Sequence, residues 1–441
     1  MKRALAHSFQ SLTIRNFRLF AGGQLASVTG TWMMVVAQDW LVLSLTGDSG
    51  TALGVVTALQ FAPLLLLTLY AGGLADRYDK RRLLIGANAA SGVLALLLAV
   101  LVLAGVVRVW HVCVFALALG IVNAVEVPTR MSFVTELVGP ELLPNASALS
   151  AAYFNSARVV GPALAGLLIG WLGTGTVMAV NAVSYLATVA GLRLIRSEEL
   201  HRPAGGAGRP KRARAADGIR YMAARPGLLL PMALVAVVGM LGFNFQLTLP
   251  LFAKTVLHAD AAAFGLLTTA MAAGSLAAAF ATTRRRGRPP LRLVIVSALA
   301  FGVLELLAGL APSYAVAAGL LFLTGFASIS FAQAANHRIQ LGTDVAYRGR
   351  VMALYTLVFQ GTTPFGALLI GWLSERHGAR AGLLAGGAAT ALAALLVLAV
   401  HLWHARSARR AGPGGEAGAA DAPAPGASGH RPPAASGPVG R

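Results

Sequence analysis

Residues 83–106 read LLIGANAASGVLALLLAVLVLAGV, with no charged side chain in the run. About 20 consecutive apolar residues are enough for a helix to cross a bilayer. A water-soluble helix of this length would carry a polar face, and this one carries none. Working outward from it, further apolar runs fall near 17–45, 51–75, 110–130, 146–172 and 175–195, then 228–254, 261–283, 291–310, 314–336, 350–373 and 380–404. The expectation is therefore about twelve transmembrane helices.

Composition agrees with lipid as the solvent. The chain has 441 residues, 56% hydrophobic, 12% charged, with mean hydropathy +0.69. Soluble domains carry about 25% charged residues. In lipid a helix satisfies its own backbone hydrogen bonds. The net charge of +20 would suggest nucleic acid in a soluble protein. Here the Lys and Arg residues sit in short blocks between apolar runs, so we expect a lipid partner and no nucleic acid. Cys113 is the single cysteine, which excludes an intrachain disulfide. The first apolar run is far longer than a signal-peptide core and is expected to stay as the first span.

The basic blocks alternate from loop to loop. Lys2, Arg3, Arg15 and Arg18 lie before or at the start of the first span, Arg77, Lys80, Arg81 and Arg82 before the third, and eight basic residues in 196–226. Arg284, Arg285, Arg286, Arg288 and Arg292 come after the eighth. The intervening loops hold few: Arg108, Lys254, Arg376 and Arg380. The positive-inside rule then places both termini in the cytoplasm of a bacterial inner membrane. Residues 196–226 are rich in Gly, Pro, Ala and Arg, a linker composition. The expected organisation is an N-terminal six-helix bundle at 1–195, a cytoplasmic linker at 196–226, a C-terminal six-helix bundle at 227–404 and a disordered tail at 405–441. Internal repetition supports two halves. Residues 167–172, LLIGWL, recur at 368–373, a shift of 201.

Several stretches carry a family resemblance. Residues 72–82, GGLADRYDKRR, resemble the loop signature of the major facilitator superfamily, G-x-L-A-D-R-x-G-R-R/K, with Asp79 at the usual second Gly. Asn155 to Gly166, NSARVVGPALAG, resembles the latter part of that superfamily's exporter Gly-Pro motif, with Ala157 where an earlier Gly is expected. Arg15 to Arg18, Pro128 to Arg130, Leu142 to Leu149, Asn336 to Gln340 and Arg348 to Met352 add to it, as do Gly361 and Pro364. Together they resemble the exporter branch that includes the enterobactin exporter and macrolide efflux proteins.

The resemblance implies an all-α fold of two pseudo-symmetric six-helix bundles around a central cavity. It also implies alternating access and a monomer. It makes Gly72, Asp76, Arg77 and Arg81 parts of a cytoplasmic latch. Gly161, Pro162, Gly166, Gly361 and Pro364 become helix-kink positions.

Charges inside a membrane are costly and carry a functional hypothesis by default. Asp39, in the first span between Gln38 and Trp40, is the candidate proton or cationic-substrate site. Trp32, Phe154, Asn155, Asn244, Gln246 and Gln360 would give spans one, five, seven and eleven a mixed aromatic and amide lining. Arg158 is a further candidate, placed to reach Glu126 and Arg130. Those two sit one turn apart and read as an ion cluster at the inner gate, joined by His337 and Arg338. Glu305 is expected to face a neighbouring helix or the outer interface rather than a substrate.

The chain has no G-x-x-x-x-G-K-[ST] loop, so ATP is not the expected energy source. It has no H-E-x-x-H, no G-x-S-x-G and no clustered Cys/His ligands. No enzyme activity, cofactor or metal is expected. The expectation is export of a small amphipathic molecule (a drug, siderophore or secondary metabolite) driven by the proton motive force. A proton-coupled importer and a non-transporting membrane sensor or scaffold stand as alternatives.

Overall fold

The computed structural model describes residues 9–201, 215–283 and 287–410, although the side chains of 68–76, 215–216, 283, 404–405 and 407–410 lie outside the described set. The described chain is helical, without strands. It begins with α1 (Arg15–Thr46), α2 (Gly50–Arg77), α3 (Lys80–Leu103) and α4 (Val109–Leu194). It continues with α5 (Ala215–Ala223), α6 (Pro226–Val237), α7 (Phe245–Thr255), α8 (Ala261–Thr283) and α9 (Leu291–Gly309). The last are α10 (Tyr314–Leu341), α11 (Val345–Gly361), α12 (Thr363–His377) and α13 (Ala379–Arg410).

The 86-residue α4 is one helix only in hydrogen-bond pattern. Gly139 (φ 71°) and Gly173 (φ 77°) leave helical geometry, a conformation that glycine adopts without Cβ strain. They divide α4 into three limbs, 109–138, 140–172 and 174–194, which are spans four, five and six. Pro162 lies inside the second limb without ending it. Two other spans are interrupted. Span seven joins α6 to α7 through a π-helical turn, Val238–Gly242. Span eleven joins α11 to α12 at Thr362. With these joins there are ten long apolar segments, and the division of α4 at Gly139 and Gly173 makes them twelve crossings among the described residues.

Spans one to six form one six-helix bundle and spans seven to twelve the other. In the first, Phe17, Phe20, Leu84, Phe133, Leu137 and Leu192 form one buried cluster. Phe20 meets Phe133 edge-on at 5.7 Å. The outward faces are apolar and exposed: Leu96, Leu97, Val100 and Leu103 on α3, and Trp171 and Trp372 in the two copies of the repeat. Such surface suits hydrocarbon, where it needs no cover. Burial repeats along with sequence. Ile169 and Ile370 are buried while Leu167 and Leu368 are exposed.

Each helix end belongs to one of two levels. The near end holds Arg15, the turn at Tyr78–Asp79 and the residues after Leu194. The far end holds Gly47–Ser49, the Ala104–Arg108 turn and Gly378. The linker reading for 196–226 needs one correction. Its last part is the helix α5, whose apolar face packs on α6 and α11, with Gly218 close to Arg350 and Leu354. The linker's centre, 202–214, and the tail beyond 410 lie outside the described residues.

Candidate functional site

The two bundles meet along two seams of small residues. In one, the second limb of α4 lies against α8. A methyl on Gly166 would come within 2.7 Å of the Ala261 carbonyl oxygen, and one on Gly265 would strike the Pro162 carbonyl oxygen. In the other, α2 lies against α12. A methyl on Gly54 would be 2.6 Å from the Ala367 carbonyl oxygen, and one on Gly371 would be 2.6 Å from that of Gly50. Small residues let membrane helices approach to backbone contact, where dispersion acts over the largest area. Gly166 and Pro162, read as kink residues, thus act in this structure as packing residues. Gly161 is similar: a methyl there would lie 2.6 Å from Trp32 Cβ. Gly361 abuts Leu65, and Pro364 sits in the first turn of α12, where its missing N–H costs nothing.

Polar contacts strengthen the far end. The chain leaves α1 through Gly47 and Asp48, both left-handed, and so brings Asp48 to Lys254 at the end of α7, with Oδ1 to Nζ at 2.6 Å. Lys254 Nζ also lies 5.3 Å from the Trp40 ring centroid, and Trp40 stacks on Phe264 of α8 at 6.0 Å. Ser49 Oγ donates to Glu375 Oε2 at 2.8 Å, and the Thr51 N–H donates to the same oxygen at 3.2 Å.

One level further in are the residues expected to line a cavity. Asp39 is buried, 5% exposed, and neither an ion pair nor a hydrogen bond is made to its carboxyl among the described residues. Gln38 is also buried, and its Nε2 donates to Gln60 Oε1 at 3.4 Å. Trp32, Phe154 and Arg158 come together. The two rings meet edge-on at 6.1 Å, and the Arg158 guanidinium lies 5.5 Å over the indole. This differs from the expectation that Arg158 joins Glu126 and Arg130. Those two pair with each other at 2.9 Å, beside Tyr153, because an i,i+4 spacing on one helix face needs no third partner.

The amides divide. Asn244 is buried and serves the backbone: its Nδ2 donates to the Met240 and Leu241 carbonyls freed by the π turn. Asn155 donates to the Ala151 carbonyl of its own helix. Gln246 is half-buried and Gln360 exposed. Open grooves of about 380, 500 and 530 Å³ lie elsewhere, and none is lined by Asp39, Trp32 or Arg158. Sequence reasoning missed Gln60 and Phe264, and read Lys254 only as a loop charge. Gln60 was findable as an amide in the middle of an apolar run. Phe264 and Lys254 matter through partners that are distant in sequence.

Among the described residues, several polar contacts at the near end run within each bundle. Lys80 Nζ meets Glu136 Oε1 at 2.5 Å. Arg81 gives three bonds, to Leu192 O (2.6 Å), Arg193 O (2.7 Å) and Ser197 Oγ (2.6 Å), closing a helix C-terminus with a cation. Arg77 is exposed. The side chains of Gly72 and Asp76 lie outside the described residues. Asp79, which departs from the signature's Gly, caps α3 by accepting from the Arg82 N–H at 2.9 Å. In the other bundle Arg338 Nη1 donates to Pro289 O at 2.8 Å, and Tyr221 donates to Asp344 at 2.7 Å. His337 is exposed.

The family model for transmembrane secretion effectors matches residues 6–412. The chain belongs to that family, within the major facilitator superfamily. Over 384 residues this member is 27% identical to the multidrug efflux pump Tap of Mycobacterium tuberculosis, covering 82% of this chain and 87% of that one. It is 30% identical over 161 residues to the staphyloferrin A transporter of Staphylococcus aureus, covering 36% of this chain and 40% of that protein. Among solved structures it is similar to a bacterial homologue of the human lysosomal transporter Spinster in an inward-facing, occupied conformation, with a TM-score of 0.70, 16% identity, and coverage of 87% and 96%. Family and relatives are transporters, and the member is a multi-pass membrane protein.

Proposed function

We propose that this protein exports a small amphipathic molecule, a drug or siderophore-like compound, across the bacterial cytoplasmic membrane by alternating access coupled to proton antiport. The observation that carries the reading is Asp39, a buried carboxyl in the first span without a partner among the described residues. A charge in such a place is expensive unless it is paired or neutralised. Proton uptake neutralises it, and a cationic substrate group pairs it. Either event changes the free energy of the bundle interface one residue away, where Trp40 stacks on Phe264 across the two bundles. The names of the Tap and staphyloferrin A relatives support drug-like or siderophore cargo and outward transport. Trp32, Phe154 and Arg158 would hold a flat, partly apolar, electron-rich ligand against the first and fifth spans.

The loop charges support near ends in the cytoplasm. On that orientation the far-end seams, with the Asp48–Lys254 and Ser49–Glu375 contacts, form the outer seal of an inward-facing state. The protein works as a monomer, with no cofactor beyond the proton gradient.

Accumulation of ethidium, a macrolide and a ferric siderophore in an efflux-deficient bacterium tests this. Wild type should lower accumulation of at least one, a protonophore should abolish the difference, and Asp39→Asn should weaken it at least tenfold. Raised accumulation with wild type would reverse the direction to import. Equal rates with and without a pH gradient in proteoliposomes would remove the proton.

A further inference from the structure

Glu305 lies about one turn before the C-terminal end of α9, and at 2% exposed it faces neither lipid nor the far-end surface. Among the described residues its Oε2 has no hydrogen-bond partner. Nor has Thr390 Oγ1, on α13. The Glu305 carboxyl, through Oε1, and Thr390 Oγ1 border the π turn of span seven. A methyl placed on Gly386 of α13 would lie 2.7 Å from Glu305 Oε1 and 2.7 Å from the Leu241 carbonyl oxygen. A methyl on Gly242 would lie 2.7 Å from Thr390 Oγ1. Glycines at 242, 302, 386 and 387 bring the three helices to backbone contact around this carboxyl.

No cation faces it. The π turn and α6 carry no ionisable side chain. On α13 the nearby cation is Arg380, which is committed to the carbonyls of Gly309 (2.6 Å) and Ala311 (3.2 Å) and to the Phe252 ring. On α10 the ionisable groups are at the ends: Tyr314, whose hydroxyl donates to Ala263 O at 2.9 Å, and His337 and Arg338. Arg292 on α9 itself is three turns away, at the near end.

We propose that Glu305 is a second proton-binding site, separate from Asp39, whose ligand is a single proton and whose occupancy sets the π turn of span seven. The step is a simple association: the carboxylate takes up one proton and becomes a neutral acid with an O–H to donate. The Leu241 carbonyl oxygen is the acceptor at hand, and it now accepts from Asn244 Nδ2 at 3.1 Å. A carbonyl shared between two donors loosens its hold on Asn244, and Asn244 is the residue that restarts the helix after the π turn. π turns in helices recur at functional sites because their carbonyls are free to change partner. Proton occupancy at Glu305 thereby alters the bend of a span that carries Lys254 of the far-end seal.

Proton binding itself is independent of the transport reading, and its effect on the seal rests on that reading. Infrared difference spectra of the full chain in lipid nanodiscs, recorded between about pH 5 and pH 9, test the first without any substrate. A protonated-acid carbonyl band that titrates in wild type and in Asp39→Asn, and is lost in Glu305→Gln, is the expected result. A band that is present but fixed over that range, or unchanged in Glu305→Gln, overturns the proposal. Spin labels replacing Arg108 and Arg376, in a Cys113→Ser background, then read the far-end distance. Wild type should shift with pH and Glu305→Gln should hold the low-pH distance throughout. An equal pH shift in both forms would remove Glu305 from control of the seal, whatever the export assay gives.

Discussion

The two seams that join the bundles use the same chemistry and end differently. At α4 against α8, Pro162, Gly166, Ala261 and Gly265 bring backbones together, and one side-chain bond is added: Thr269 Oγ1 to Val159 O at 3.1 Å. At α2 against α12, Gly50, Gly54, Ala367 and Gly371 do the same, and the far end is finished with Ser49, Thr51 and Glu375. The helices that carry the LLIGWL repeat supply one wall of each seam, with Gly166 standing 201 residues before Ala367, so duplication explains the likeness. The difference lies in the polar groups added to the packing. One seam is apolar apart from the Thr269 bond; the other is capped by a carboxylate and stands close to the Asp48–Lys254 pair. A contact made by dispersion alone is indifferent to salt, while exposed ionic contacts weaken as salt screens them. The second seam is therefore the natural place for a seal that opens in response to charge.

The largest test is steric. Gly54→Leu and Gly265→Leu each force a side chain into backbone, and each should destabilise the purified protein by about 1–3 kcal/mol. Thermal unfolding in detergent reads this directly. Equal losses would support two equivalent seams, and a loss in one alone would break the comparison.

A smaller effect belongs to Lys254→Ala, which removes the ion pair with Asp48 and the stacking over Trp40. At its partly exposed position this is worth about 1 kcal/mol at most. It should lengthen the far-end distance between labels at Arg108 and Arg376, and high salt should do the same to wild type. Salt dependence unchanged in Lys254→Ala would mean that the pair does not hold the seal.

Thr269→Val should cost roughly 0.6 kcal/mol, the average for such bonds inside membrane bundles. The loss should be the same at low and high salt. Glu375→Gln is the weakest. Its carboxylate is exposed and Gln can still accept from Ser49, so a few tenths of a kcal/mol is expected. Unfolding at matched salt concentrations ranks these two, and a reversed order would place more of the second seam's strength in its cap.

Some of the near end was legible and some was not. Lys80 and Arg81 announced a basic loop, and the i,i+4 spacing of Glu126 and Arg130 announced their pair. The sequence could not say that Arg81 closes the C-terminus of the sixth span, because its acceptors are backbone carbonyls 111 and 112 residues away. Asp79 looked like a flaw in a glycine position. Its capping bond to the Arg82 N–H gives that side chain a structural task. Asn244 looked like a ligand residue and is occupied by the carbonyls of its own kink. An amide in an apolar run has two such uses, and local backbone geometry chooses between them.

The sequence by itself determined the solvent, the number of crossings and the two-fold repetition. Hydrophobic run length is set by bilayer thickness, loop charge by orientation, and duplication leaves identical strings; all three are properties of neighbours along the chain. The tertiary structure decided which small residues form seams, why Arg158 turns to Trp32, and that Glu305 is left unpaired beside a π turn. Those outcomes depend on which helix lies opposite. With 50 glycines and an alanine-rich composition, the sequence holds many equally good small faces, and packing selects among them.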